Sequence, residues 1–106
     1  MSWIFLLLAG VFEIAFTTAL KMSNGFSFER PKYIVVFTFF ALISFGMLNL
    51  AMRGISLGTA YAVWTGIGAA GTAIVGVFWF NDTLSALQVF FLTLLIASIV
   101  GLKVVS

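Results

Sequence analysis

Residues 5–21, FLLLAGVFEIAFTTALK, read as most of a membrane-spanning helix with one acid, Glu13, in its middle. About 20 residues at roughly 1.5 Å rise each cross the hydrocarbon, and this run has that length. A charged side chain at the bilayer centre costs roughly 2.5–3.5 kcal/mol on insertion scales, so a carboxyl group there needs a purpose that offsets the cost. The rest of the chain is of the same kind. Of its 106 residues 63% are hydrophobic and 8% charged, against about 25% charged in soluble domains, too few to cover a water-facing surface. The mean hydropathy of +1.26 points the same way. Lipid is the solvent.

Eight charges, Glu13, Lys21, Glu29, Arg30, Lys32, Arg53, Asp82 and Lys103, punctuate apolar runs of spanning length. We expect an all-α integral membrane protein in which residues 1–106 form a single four-helix transmembrane domain, with helices at about 3–21, 33–52, 57–80 and 85–104. SNGFSFERPK (with Asn24-Gly25 and Pro31), RGISLG and NDTLS supply the turns, and Ser85, Asp82 and Thr83 are all competent caps for the last helix. The runs do not alternate with period two, which argues against a barrel. Residues 1–21 lack a basic leader or an A-x-A-like cleavage site, so the first helix is expected to be retained. Five basic residues against three acidic give no nucleic-acid footprint. With neither cysteine nor histidine, disulfides are impossible and the usual metal ligands are missing. No cofactor, metal or enzymatic activity is expected.

Four spans put both termini on one side, with Arg53 and Lys103; Lys21, Arg30 and Lys32 lie on the other. Two against three is almost no bias under the positive-inside rule. Either the chain takes one orientation on a weak signal, or it inserts both ways and pairs antiparallel. Four short helices also enclose little space and offer one deep charge, which favours a path built from two copies.

Ala9, Gly10, Phe16 and Thr17 share the face of Glu13, a mixture of small, hydroxyl-bearing and aromatic residues. The competing structural reading is a protonated Glu13 that only hydrogen-bonds between helices. In GTAYAVWTGIGAAGTAIVG, residues 58–76, Tyr61 and Trp64 share a face and Gly68 extends it by a turn. Gly66-Ile67-Gly68 is the expected bend, close helix packing being the plainer use of these glycines. Tyr61 and Trp64 lie at least a turn inside the span, so an aromatic belt at the interface does not explain them. Aromatic faces beside a carboxylate suit an organic cation. Ser44, near the middle of the second span, reads either as bonded to its own i−4 carbonyl or as part of the site beside Glu13. In the last span Thr93, Ala97 and Gly101, with Ser98 beside them, form a row of small residues, a helix-association seam.

These features resemble the small multidrug resistance transporters of bacterial inner membranes, over nearly the whole chain. The likeness rests on length, four spans, the single Glu13, LK followed by SNGF at 20–26, and GTAYAVWTGIG at 58–68. It implies an antiparallel homodimer of dual topology that exports cations in exchange for protons, though some relatives pair as heterodimers. On this likeness Glu13 binds proton or substrate, and Gly10, Phe16, Thr17, Ser44, Tyr61 and Trp64 line the site. Gly66, Ile67 and Gly68 are the hinge, and Thr93, Ala97, Ser98 and Gly101 belong to the dimer contact. The subtype is mixed. GTAYAVWTGIGA, ISF at 43–45 and the terminal GLKVVS resemble the guanidinium-exporting branch, which usually carries WA-x-x-LK where this chain has FTTALK. Glu13 followed by Thr17 is closer to the branch that exports quaternary ammonium compounds, which often has an aromatic where this chain has Ala41. We expect an exporter of small hydrophobic organic cations, with guanidinium export the close alternative. A structural or regulatory membrane subunit is the rival from another class.

Overall fold

The structure is a computed structural model that describes residues 1–23 and 31–105. The expected turn at Asn24-Gly25 and the charges Glu29 and Arg30 lie outside the described residues. Four helices follow in order: α1 Ser2–Met22, α2 Pro31–Ala51, α3 Leu57–Trp79 and α4 Ala86–Val105. Each is long and apolar enough to cross a membrane. With no water in the hydrocarbon, every backbone polar group must be satisfied within the segment, and a helix does that locally. The helix ends differ from expectation by a residue or two, because caps decide them. Pro31 opens α2, where its missing N–H is no loss. Ser85 is the residue that caps α4. Its N–H donates to Gln88 Oε1 at 2.7 Å and its hydroxyl accepts the Gln88 N–H at 3.2 Å, a reciprocal capping box.

The helices do not close into a bundle. The molecule measures 45 × 35 × 16 Å, a flat slab with α1 at its centre between α2 and α3, while α2 and α3 scarcely touch. α4 packs along α3 and buries none of its residues. Lys103 bends back so that its ammonium lies 5.3 Å over the Trp3 ring, which puts both chain ends on one side. The core is small and lies along α1: Leu6, Ala9 and Phe16 meet Ala41, Leu48, Val63 and Trp64.

α1 and α3 run parallel, and small residues set their register. A side chain on Gly10 would strike Ile67, one on Gly71 would strike Ile14, and one on Gly68 would strike Glu13. Large on one helix meets glycine on the other, so the backbones close up. One consequence is a constant offset of 55 between facing residues four apart: 13 beside 68 and 17 beside 72.

Candidate functional site

Glu13 stands halfway along α1 and is half-buried. Its carboxyl group rests on the backbone of Gly68; a Cβ there would lie 2.7 Å from Glu13 Cγ and closer still to the carboxyl atoms. The buried Oε1 has no hydrogen-bond partner among the described residues. A buried acceptor without a donor is costly, and such atoms in native proteins call for a partner.

One turn toward the N-terminus, Ser44 ties three helices. Its hydroxyl donates to the Ala9 carbonyl of α1 at 2.6 Å and accepts the Trp64 indole N–H of α3 at 3.0 Å. Ser44 is fully buried and Trp64 nearly so. Of the two readings open in the sequence, the bond to its own helix gives way to bonds across helices. The indole ring lies against Phe45 at 5.6 Å and Tyr61 at 5.7 Å between centroids. Phe45 continues to Phe16 at 5.9 Å, and Phe16 to Phe37 at 5.5 Å. An aromatic chain thus runs from Phe37 of α2 to Phe16 of α1, back to Phe45 of α2 and on to Trp64 and Tyr61 of α3.

Each residue singled out in the sequence has a definite place. Glu13, Ser44, Trp64 and Tyr61 fall within two adjacent turns of the α1–α3 seam, and Tyr61 keeps 56% of its surface exposed. Phe16 is buried in the aromatic chain. Thr17 bonds to Thr72 with 2.6 Å between hydroxyl oxygens. Gly10 is covered by Ile67 and offers no open surface. Around Gly66, Ile67 and Gly68, α3 continues as one unbroken helix. Each of the three has a packing role, since Gly66 receives Ile99 of α4, Ile67 covers Gly10 and Gly68 seats Glu13. Thr93, Ala97, Ser98 and Gly101 are all exposed on α4, Thr93 bonding only to the Val89 carbonyl of its own helix. Phe45 and Thr72 were missed. Phe45 adjoins Ser44, but only the tie to Trp64 turns it toward the site; Thr72 follows once the offset of 55 is known.

Among the described residues, four membrane-spanning helices with one carboxyl group inside the spans, and a hydrogen-bonded serine and tryptophan, define a small multi-pass membrane protein. A family model described as Small Multidrug Resistance protein matches residues 1–95. The chain is 42% identical over 106 residues to a guanidinium exporter of Proteus vulgaris, covering all of both chains. It is 44% identical over 103 residues to guanidinium exporters of Citrobacter freundii and Klebsiella oxytoca, covering 97% of this chain and 96% of each of those. The chain belongs to the small multidrug resistance family, and is a multi-pass transporter of the bacterial inner membrane.

Proposed function

We propose that this transporter exports guanidinium in exchange for protons, working as an antiparallel pair of identical chains. The observation that carries the reading is the Glu13 oxygen that has no donor. A guanidinium ion is planar, permanently charged and rich in N–H donors, and pairs with a carboxylate through two parallel hydrogen bonds. It also stacks on aromatic faces, which Trp64 and Tyr61 supply. Ser44 has one acceptor position left after serving Ala9 and Trp64. A quaternary ammonium brings charge but no N–H, and would leave the Glu13 oxygen as it is. The relatives named guanidinium exporters support the same choice. The order of the two substrates expected from the sequence is therefore reversed.

Coupling follows from exclusion. The carboxyl group holds either a proton or the cation, so binding one releases the other. Two such groups, one from each chain, then carry protons inward and the cation outward. Exchange between inward- and outward-facing states needs two conformations of nearly equal energy, which two identical antiparallel chains supply by trading shapes. In this scheme Gly66, Ile67 and Gly68 bend, Thr17 and Phe16 flank the bound ion, and the bare α4 row of Thr93, Ala97, Ser98 and Gly101 meets the partner. The rival role, a non-transporting subunit, requires no titrating group.

Proteoliposomes loaded at low pH inside decide the matter. Guanidinium should be taken up against its gradient and should discharge the pH difference. Tetraethylammonium should do so much more weakly. Equal uptake of both restores the hydrophobic-cation reading, which the FTTALK stretch favours; no proton movement with either removes antiport.

A further inference from the structure

Beyond Glu13 the α1–α3 seam carries polar groups at each turn, Thr17 and Thr72, then Lys21 and Asp82, set among apolar neighbours such as Val75 and Phe80. Thr17 and Thr72 lie four residues on from Glu13 and Gly68, or about 6 Å along the axes. The Thr17 hydroxyl can donate to the carbonyls of Glu13 and Ile14, at 2.9 and 3.0 Å. The Thr17 and Thr72 hydroxyl oxygens lie 2.6 Å apart, and either can donate to the other. Four residues further, Lys21 and Gly76 face a cavity of about 160 Å³ that is lined by both threonines and reaches Phe80 and Asp82. At about 30 Å³ for each water in the liquid, it has room for several.

The chain turn places Asp82 at the mouth. Asn81 adopts φ 58°, a left-handed conformation that asparagine tolerates. The Asp82 N–H then donates to the Gly76 carbonyl at 3.0 Å, and the Asp82 carboxylate lies over Gly76 in the space a side chain would fill.

We propose that this seam is the proton path of each protomer: water in the cavity carries protons between Glu13 and the Asp82 carboxylate, past the Thr17–Thr72 neck. The inference rests on the proton-coupled reading above. On release, the Glu13 O–H bond breaks as its proton passes to a water at the neck. The water chain gives a proton to Asp82, and the resulting acid returns it to bulk water. Lys21, its ammonium 6.0 Å from the Phe80 ring centre, sets a positive charge on the same cavity. Hydroxyl oxygens 2.6 Å apart leave no passage for an organic cation, so substrate and proton take different routes to one carboxyl group. The paired hydroxyls hold the neck closed in this conformation.

The test is stopped-flow detection of protons released when guanidinium is added to the reconstituted protein in weak buffer. Asp82→Asn should release as many protons as wild type but about tenfold more slowly, a modest share of the roughly 10²–10⁴-fold that a positioned proton-transfer group supplies. Imidazole added as a mobile carrier should restore the rate, and Asp82→Glu should keep it. Gly76→Ala, which pushes the carboxylate from its seat without removing it, should also be slow and be restored by imidazole. Wild-type rates in both Asp82→Asn and Gly76→Ala overturn the path while leaving antiport intact. Slow release that imidazole does not restore assigns the defect to structure and overturns it too. If wild type itself releases no protons, antiport fails and the path falls with it.

Discussion

A carboxyl group that rests on the backbone of Gly68 and lacks a donor for one oxygen is sensitive to single atoms. Glu13→Gln keeps the shape but cannot exchange a proton, so pH-driven guanidinium uptake should vanish while the protein still purifies folded. Uphill uptake by this variant would sink the mechanism. Because proton and cation compete for one group, the apparent affinity for guanidinium should weaken as pH falls, and calorimetric titration at several pH values checks the sign. Ser44→Ala leaves the buried Trp64 N–H and the extra acceptor position of the Ala9 carbonyl without their partner. A buried donor left without an acceptor costs about 1–3 kcal/mol, and hydrogen bonds within membranes sit toward the low end. A loss of about 1 kcal/mol in unfolding free energy is expected, together with weaker guanidinium binding; unchanged binding would make Ser44 a brace only. At this scale the sequence singled out Glu13, because an acid in lipid is costly and its bland use, a hydrogen bond between helices, could be served by an uncharged residue. It was silent on the partners of Ser44, which depend on how three helices meet and not on any local pattern.

The helices were legible because lipid forces the choice. A run of 20 apolar residues without period-two alternation has no other way to satisfy its backbone. Their mutual register was not, since glycine density along 58–76 signals close approach without saying to what. The structure distinguishes those glycines individually. Gly68→Ala pushes against Glu13 and Gly71→Ala against Ile14, whereas Gly58 has nothing within 4 Å. Gly68→Ala should therefore abolish transport and Gly71→Ala should destabilise the α1–α3 contact. Gly58→Ala should behave as wild type in uptake and thermal unfolding. Three equal losses would mean that α3 needs its glycines for bending and not for seating particular side chains. The expectation of a hinge at Gly66-Ile67-Gly68 concerns motion, to which the unbroken helix is neutral.

As a whole the chain is a slab whose described residues leave the α4 face bare, and the near-balance of basic residues on its two sides bears on how copies meet. Two lysines added to residues 53–57 should bias that side to the cytoplasm, and two added to 24–32 should bias the other. Each variant alone should export poorly, and coexpression should restore export. Full activity of either variant alone would exclude the antiparallel pair. Size and charge in the sequence suggested two copies; the small-residue row of α4 marked an association seam, but nothing in it told that α4 would pack along α3 and bury none of its residues.

The bare helix has a consequence for dilution. Lipid tails are as apolar as leucine, so an α4 with no buried residue pays nothing for facing them. A lone α4 face is then no liability in the bilayer, and the proposed pairing would have to come from close packing against the small residues. Association is then governed by mass action in two dimensions. Reconstituted at falling protein-to-lipid ratio, guanidinium flux per chain should hold constant and then drop in proportion to the ratio, and Gly101→Leu should move that break to higher density.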